Sequence, residues 1–242
     1  MNLGPPRPGW YPTVAAIIGI GLTLYAAHWQ YGRATYKQSL QQDYSARQSA
    51  PMLLLNDSAV TDAPTIRFRR LSARGHYLTN HTIFLDNRTR DGVAGFEVIT
   101  PLRMTNGAGL VLVNRGWIRG APERDTLPSV ETPTGEVLVS GTAIVPSTNI
   151  LELSTTTIEG LIWQNLVLSR YREAHKLNVL DFVVQQEGGP DDGLLRRWTA
   201  PGFGVKTHQS YAVQWLLFAS LIVFFYVYYG YLRRHPGQQT PK

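Results

Sequence analysis

A chain of 242 residues with 23 Lys and Arg against 17 Asp and Glu holds one ordinary domain plus anchors, or two small domains, at a net charge of +6. Only Arg7, Arg233, Arg234 and Lys242 of the basic residues lie outside residues 30–207. The middle of the chain is therefore close to neutral and lacks the basic stripe of a nucleic-acid binder. The chain has no cysteine, which excludes disulfides, thiolate metal sites and cysteine nucleophiles.

The first apolar block, residues 12–29, carries no charge, and Trp10, Tyr11, Trp29 and Tyr31 mark its ends as interfacial aromatic belts do. Small residues at the −3 and −1 positions are missing after it: Ala27 has Tyr25 two before it and Ala26 has Leu24. A retained membrane helix is expected rather than a cleaved leader. Ala15 and Gly19 form a small-xxx-small pair suited to close helix packing. A polar, Gln-rich run through Arg47 extends this helix outward as a stalk.

Beyond Pro51 the pattern is mostly β. Residues 66–78 alternate around Phe68, Leu71 and Tyr77, and 81–87 form a short strand. Asp91-Gly92 and Asn106-Gly107 are turn signals on either side of a strand at 96–102. Residues 110–117 read as a well-buried strand, 136–145 and 179–185 as further strands, and 166–177 as a helix. Residues 121–135 and 188–193 are surface loops. A small β-barrel or sandwich with one or two helices fits these short strands.

The second apolar block, 211–232, spans about 33 Å as a helix, enough for a ~30 Å hydrocarbon core. Arg233 and Arg234 follow it with no acid nearby, which sets that end in the cytoplasm. The expected organisation is a cytoplasmic N-terminus (1–11), a first membrane helix (12–30), an extracytoplasmic β-rich domain (31–207), a second membrane helix (208–232) and a cytoplasmic tail (233–242). This is an α+β protein of the inner (plasma) membrane, with a barrel- or sandwich-like domain between two transmembrane helices.

Chemistry-bearing motifs are sparse. There is no phosphate loop, no nucleophile elbow and no motif-placed carboxylate pair. None of His28, His76, His81, His175, His208 and His235 is spaced as a metal-binding pair on one helical face, and His76 and His81 are expected at the surface. His28 and His208 stand apart, because each lies at the outer end of a membrane helix, at similar depth. An imidazole there either ligates haem iron or sits among headgroups, and the residues alone leave both readings open. Asn87, Arg88, Asn114 and Arg115 likewise divide between turn-and-packing roles and an arginine clamp on haem propionates.

Taken together, Trp29-Gln30-x-x-Arg33 with Lys37, Gly75-His76-Tyr77-Leu78, Leu85-Asp86-Asn87-Arg88 and Gly92-x-x-Gly95 resemble the Surfeit-locus-one family of cytochrome oxidase assembly proteins. So do Val98-Ile99-Thr100-Pro101-Leu102, Val111-Leu112-Val113-Asn114-Arg115-Gly116-Trp117, Gly141, Trp163-Gln164 and His208-x-x-Tyr211-Ala212-x-x-Trp215. The chain departs from the family at Ala27, where Gly is usual, and at Thr207 and Gln209 around the histidine. The resemblance implies a membrane-bound factor, not an enzyme, that helps haem A reach subunit I of a cytochrome c oxidase or be inserted there. Its partners would be that subunit, the lipid bilayer and, as a further candidate, haem A synthase. His208 corresponds to the family's candidate haem-iron ligand, with Tyr211, Trp215, Trp29 and Gln30 as expected neighbours of the haem. A bis-histidine site of His28 with His208 is a separate expectation that the family pattern does not contain. The competing reading is a membrane-tethered interaction or scaffold module of a respiratory complex that does not bind haem.

Overall fold

A computed structural model describes residues 8–57, 63–107, 109–120, 127–146 and 158–232. Arg7, Arg233, Arg234, His235 and Lys242, and residues 121–126 of the loop expected at 121–135, lie outside the described residues. The chain divides into two compact units: Met1–Asp43 with Pro201–Lys242, and Tyr44–Ala200.

The helical unit is built from the two apolar blocks. Helix α1 (Trp10–Ser49) runs unbroken for 40 residues, about 60 Å at 1.5 Å per residue and twice the thickness of a hydrocarbon core. Its apolar half and its polar, Gln-rich half are thus one rod. Pro12 sits in the first turn, where a missing N–H costs nothing. Helix α4 (Val205–Val227) continues into a π-helical turn, Tyr228–Leu232. Both helices are long and apolar enough to cross a membrane. Ile17, Ile18, Leu22, Leu216, Leu217, Leu221 and Phe224 are exposed on them. Apolar helices left uncovered in this way are solvated by lipid, and the chain is read as a two-span membrane protein. The helices touch in antiparallel order: Thr13 Oγ1 lies 2.8 Å from Tyr226 Oη, a Cβ on Gly19 would meet Ile222 at 3.2 Å, and Gln30 meets His208. Small side chains on α1 make the approach possible, as the Ala15–Gly19 spacing predicts.

Among the described residues, the second unit holds nine strands: β1 (Leu53–Leu54), β2 (Arg70–Tyr77), β3 (Ile83–Leu85), β4 (Gly95–Met104), β5 (Leu110–Arg119), β6 (Val137–Ile144), β7 (Ile158–Glu159), β8 (Ile162–Trp163) and β9 (Val179–Gln186). Five of them close on themselves in the order β2-β6-β9-β5-β4, with β4 pairing back onto β2. Neighbours β6-β2-β4-β5 follow the spatial order of a Greek key, and β5–β9 is a parallel pair. Of the two expected architectures, the barrel is the one observed. Closure brings strand backbones very close. A Cβ on Gly75 would lie 2.1 Å from the Arg103 carbonyl oxygen, and one on Gly141 2.0 Å from that of Gln185, so only glycine fits either corner.

Of three buried clusters among the described residues, alternation along the strands separates the two largest. Leu71, Leu102, Val111, Val113, Val139, Phe182 and Val184 fill one cluster, joined by Leu55 and Ile66. Leu112, Ile99 and Val183 point to the opposite face, where Ile83, Leu85, Trp163 and Tyr171 cover them. Helix α3 (Leu168–His175), ended by Lys176 in the left-handed region, supplies that cover with β3 and β8. Strand β5 is buried on both faces, which is why its sequence is apolar without alternation.

Several boundaries differ from the sequence expectation for local reasons. Residues 66–78 are not one strand: Ala63–Ile66 form a helical turn, α2, with Pro64 early in it. Phe68 then takes φ 66°, held by its N–H bond to the Ala143 carbonyl at 2.8 Å, before β2 begins at Arg70. The strand expected at 81–87 starts at Ile83 because Thr79–His81 turn in a 3-10 helix. The short strands β1, β7 and β8 carry no alternation long enough to read.

Candidate functional site

Where the apolar half of α1 gives way to its polar half, beside the first turns of α4, His208 Nδ1 lies 2.8 Å from Gln30 Oε1. The amide oxygen is an acceptor, so the imidazole donates its Nδ1–H, and the Nε2 lone pair is left for a ligand. Fixing one ring nitrogen through a neighbour is how proteins orient a histidine ligand. His208 lies in the first turns of α4, its N–H bonded to the Gly204 carbonyl at 3.3 Å, and is half-buried. Trp215 lies seven residues on, two turns along the same stripe, half-buried and edge-on to Phe218 at 5.7 Å. Tyr211 and Trp29 are 48% and 56% exposed. This donor set fits haem: an imidazole with a free lone pair, and flat aromatic surface open to an apolar macrocycle.

His28 is placed differently. It is exposed, and two residues along a helix amount to a rotation of about 200° from Gln30. Gln30 faces α4, so His28 faces away from it. The bis-histidine pairing expected from similar depth is replaced by His208 with Gln30, because depth fixes the height of a residue and not its azimuth.

In the barrel unit, Arg115 is 1% exposed. Val98 pairs with Gly116 and Ile99 with Asn114, which leaves Arg115 as the extra residue of a β-bulge, beside Gly116 at φ 145°. Its guanidinium donates to Thr132 Oγ1 at 2.5 Å and the Glu131 carbonyl at 2.6 Å, pairs with Asp192 at 3.1 Å, and lies 5.1 Å from the centre of the Tyr77 ring. Asp192 is shared with Arg196 at 2.5 Å. Of the two readings open for Arg115, these surroundings match packing. Burial pushes the Tyr77 hydroxyl up to about 12 against the lowering pull of Arg115, so it stays protonated and donates to Gln186 Oε1 at 3.2 Å. The stretches 127–135 and 188–193, expected as plain surface loops, thus carry the partners of a buried cation.

Arg88 is half-buried and only loosely paired, its Nε 3.7 Å from Glu97 Oε2. Asn114 Nδ2 donates to the same carboxylate oxygen at 2.9 Å, a packing role. His81 meets not His76 but His175, with Nδ1 atoms 3.2 Å apart. His175 stacks on Tyr171 at 4.3 Å, and the Tyr171 hydroxyl donates to the His81 carbonyl at 2.6 Å. Burial, with the neighbouring His81 adding to it, lowers the His175 pKa from its ordinary value. Nothing local in the sequence signals these pairings, whose members lie 77 and 94 residues apart.

The SURF1 family model matches residues 17–220, which takes in most of α1, the barrel and most of α4. An uncharacterized SURF1-like protein of Mycobacterium bovis is 24% identical over 93% of this chain and 84% of its own length. A SURF1-like protein of Drosophila melanogaster is 28% identical over 50% of this chain and 44% of its own. The cytochrome oxidase assembly protein SHY1 of Saccharomyces cerevisiae is 26% identical over 48% of this chain and 31% of its own.

Proposed function

The chain belongs to the SURF1 family, and from that premise we propose that it is an assembly factor for cytochrome c oxidase that assists delivery of haem A to subunit I, or its insertion there. The reading takes both termini as cytoplasmic and the barrel as extracytoplasmic, as the Arg233-Arg234 pair after α4 argues. It requires no turnover chemistry. Haem A, when bound, would supply iron that takes a histidine nitrogen and a macrocycle with an apolar tail.

One observation carries the proposal: the His208 imidazole is oriented by Gln30 through Nδ1, and Nε2 makes no hydrogen bond among the described residues. Gln30 keeps the ring from rotating, and Trp215, Tyr211 and Trp29 offer flat surface to the porphyrin at the level where membrane hydrocarbon gives way to headgroups. A site at the membrane edge admits a hydrophobic cargo laterally and lets it leave again, which suits transient custody.

The test is the haem content of the oxidase in a strain lacking this protein. A shortfall in haem A, restored by the wild-type chain and not by His208→Ala at equal abundance, is the expected result. Normal haem A occupancy in the deletion strain removes the proposal. The scaffold reading rests on the commitment of Arg115 to packing. It predicts that the detergent-purified protein shows no Soret band when co-expressed with haem A synthesis genes.

A further inference from the structure

The segment between β3 and β4 carries an arginine arrangement that packing does not use up. The Arg88 backbone is fixed twice: its N–H donates to the Gly95 carbonyl at 3.2 Å, and its carbonyl accepts Trp117 Nε1–H at 2.6 Å. Two non-glycine residues near it, Asn87 at φ 58° and Asp91 at φ 49°, hold left-handed conformations. Asn and Asp adopt this conformation readily, and here it shapes the turns on either side of Arg88 and Arg90. The side chain is treated in the opposite way. Its contact with Glu97, at 3.7 Å, is longer than a hydrogen bond. Arg90 reaches the same carboxylate at 3.8 Å, lies 5.1 Å from the Trp198 ring, and donates to the Arg197 carbonyl.

Arg88, Arg90 and Arg197 line a cleft of about 540 Å³, together with Asp91 and Glu97. Three arginines and two acidic residues in this lining leave it one positive charge in excess. The loose distances to Glu97 leave donors of the planar fork open to a second acceptor, and that fork matches a carboxylate bidentately. The positions are therefore preorganised in backbone and under-satisfied in side chain, the combination that distinguishes a receptor from a structural salt bridge such as Arg115–Asp192.

We propose that this cleft binds a ligand bearing paired carboxylates. Resting on the haem-handling reading, it takes these to be the propionates of a tetrapyrrole. Arg88, Arg90 and Arg197 then do what Arg115, committed inside the barrel, does not. Glu97, held by Asn114, keeps Arg88 and Arg90 side by side while the cleft is open.

The experiment uses the full chain in detergent and two iron-free probes, protoporphyrin with free propionates and its dimethyl ester, read by porphyrin anisotropy. Without iron, ligation by His208 plays no part. The diacid should bind about tenfold more tightly than the diester, the scale of one charge-assisted contact. Arg88→Gln and Arg197→Gln should each remove most of that preference, Arg88→Lys only part of it, and His208→Ala none. Near-UV circular dichroism checks the fold, and Arg197→Gln, at an exposed position, decides if Arg88→Gln is misfolded. Equal binding of diacid and diester overturns the proposal, as does a preference that survives both Gln variants. Arg88-dependent binding of a polyglutamate peptide without any diacid preference also overturns it, and assigns the cleft to an acidic protein partner. A diacid preference that depends on Arg88, alongside iron-haem spectra indifferent to His208, keeps this inference and removes only the ligand assignment above.

Discussion

Arg115 and His208 both lie in stretches that carry the family resemblance, yet the two units use them in opposite ways. The barrel draws Arg115 into a bulge and surrounds it with a threonine hydroxyl, a carbonyl, a carboxylate and a tyrosine ring. Among the described residues, the helical unit gives His208 one side-chain partner, on one ring nitrogen. A buried cation must have its donors met from within, because no water reaches it. A half-buried imidazole between the middle of α1 and the start of α4 carries no such demand, so its second nitrogen can stay open. Motif membership thus does not separate a residue that maintains the fold from one positioned to bind; the completeness of its hydrogen bonding does.

The largest effect that would break this comparison is on stability. Arg115→Ala removes a buried cation from Thr132, Glu131 and the Tyr77 ring and leaves Asp192 paired with Arg196 alone. It should cost about 3–5 kcal/mol, seen as a large fall in the barrel's denaturation midpoint. His208→Ala should leave that midpoint unchanged. If Arg115→Ala melts like wild type while losing haem, Arg115 is a ligand residue and the contrast is false.

A smaller effect concerns Gln30. Gln30→Leu removes the acceptor that orients His208 without touching the ligand nitrogen, and lost orienting partners lower metal affinity by roughly 10–100-fold. Haem titration of the purified variant should show weaker binding with the same spectral type. An unchanged affinity would mean that the ring needs no orientation.

The smallest effect is a pH dependence confined to the barrel unit. The His175 pKa is lowered in the folded state, so the unfolded chain binds the extra proton first as pH falls. The stabilising contribution is complete above the unfolded value of 6.5 and is lost as pH falls from there through the lowered folded pKa. Denaturation midpoints should fall modestly with acidification over that window in the wild type and less in His175→Gln. A slope of opposite sign would contradict the burial of His175.

Much of the architecture was legible because it follows from period and composition. Continuous apolarity with aromatic ends marked both long helices, Asp-Gly and Asn-Gly turns bracketed the strand that became β4, and an unbroken apolar run marked β5. What escaped was non-local. The left-handed Phe68, the bulge at Arg115 and the pairing of β5 with β9 arise from contacts between distant segments, and β1, β7 and β8 are two residues each. The candidate site was legible in its parts but not in its assembly: His208 and Gln30 were both singled out, whereas His28 was set opposite His208 on depth alone. Helical azimuth, not depth, chose the partner.

The central claim is that His208 offers Nε2 to haem iron while His28 does not. The most direct measurement is the absorption spectrum of haem bound to the purified full-length protein and to its His208→Ala and His28→Ala variants, each with and without free imidazole. His208→Ala should lose the histidine-ligated Soret band and regain it when imidazole is added, and His28→Ala should match the wild type. A His208→Ala protein that keeps the wild-type spectrum without added imidazole would contradict the account.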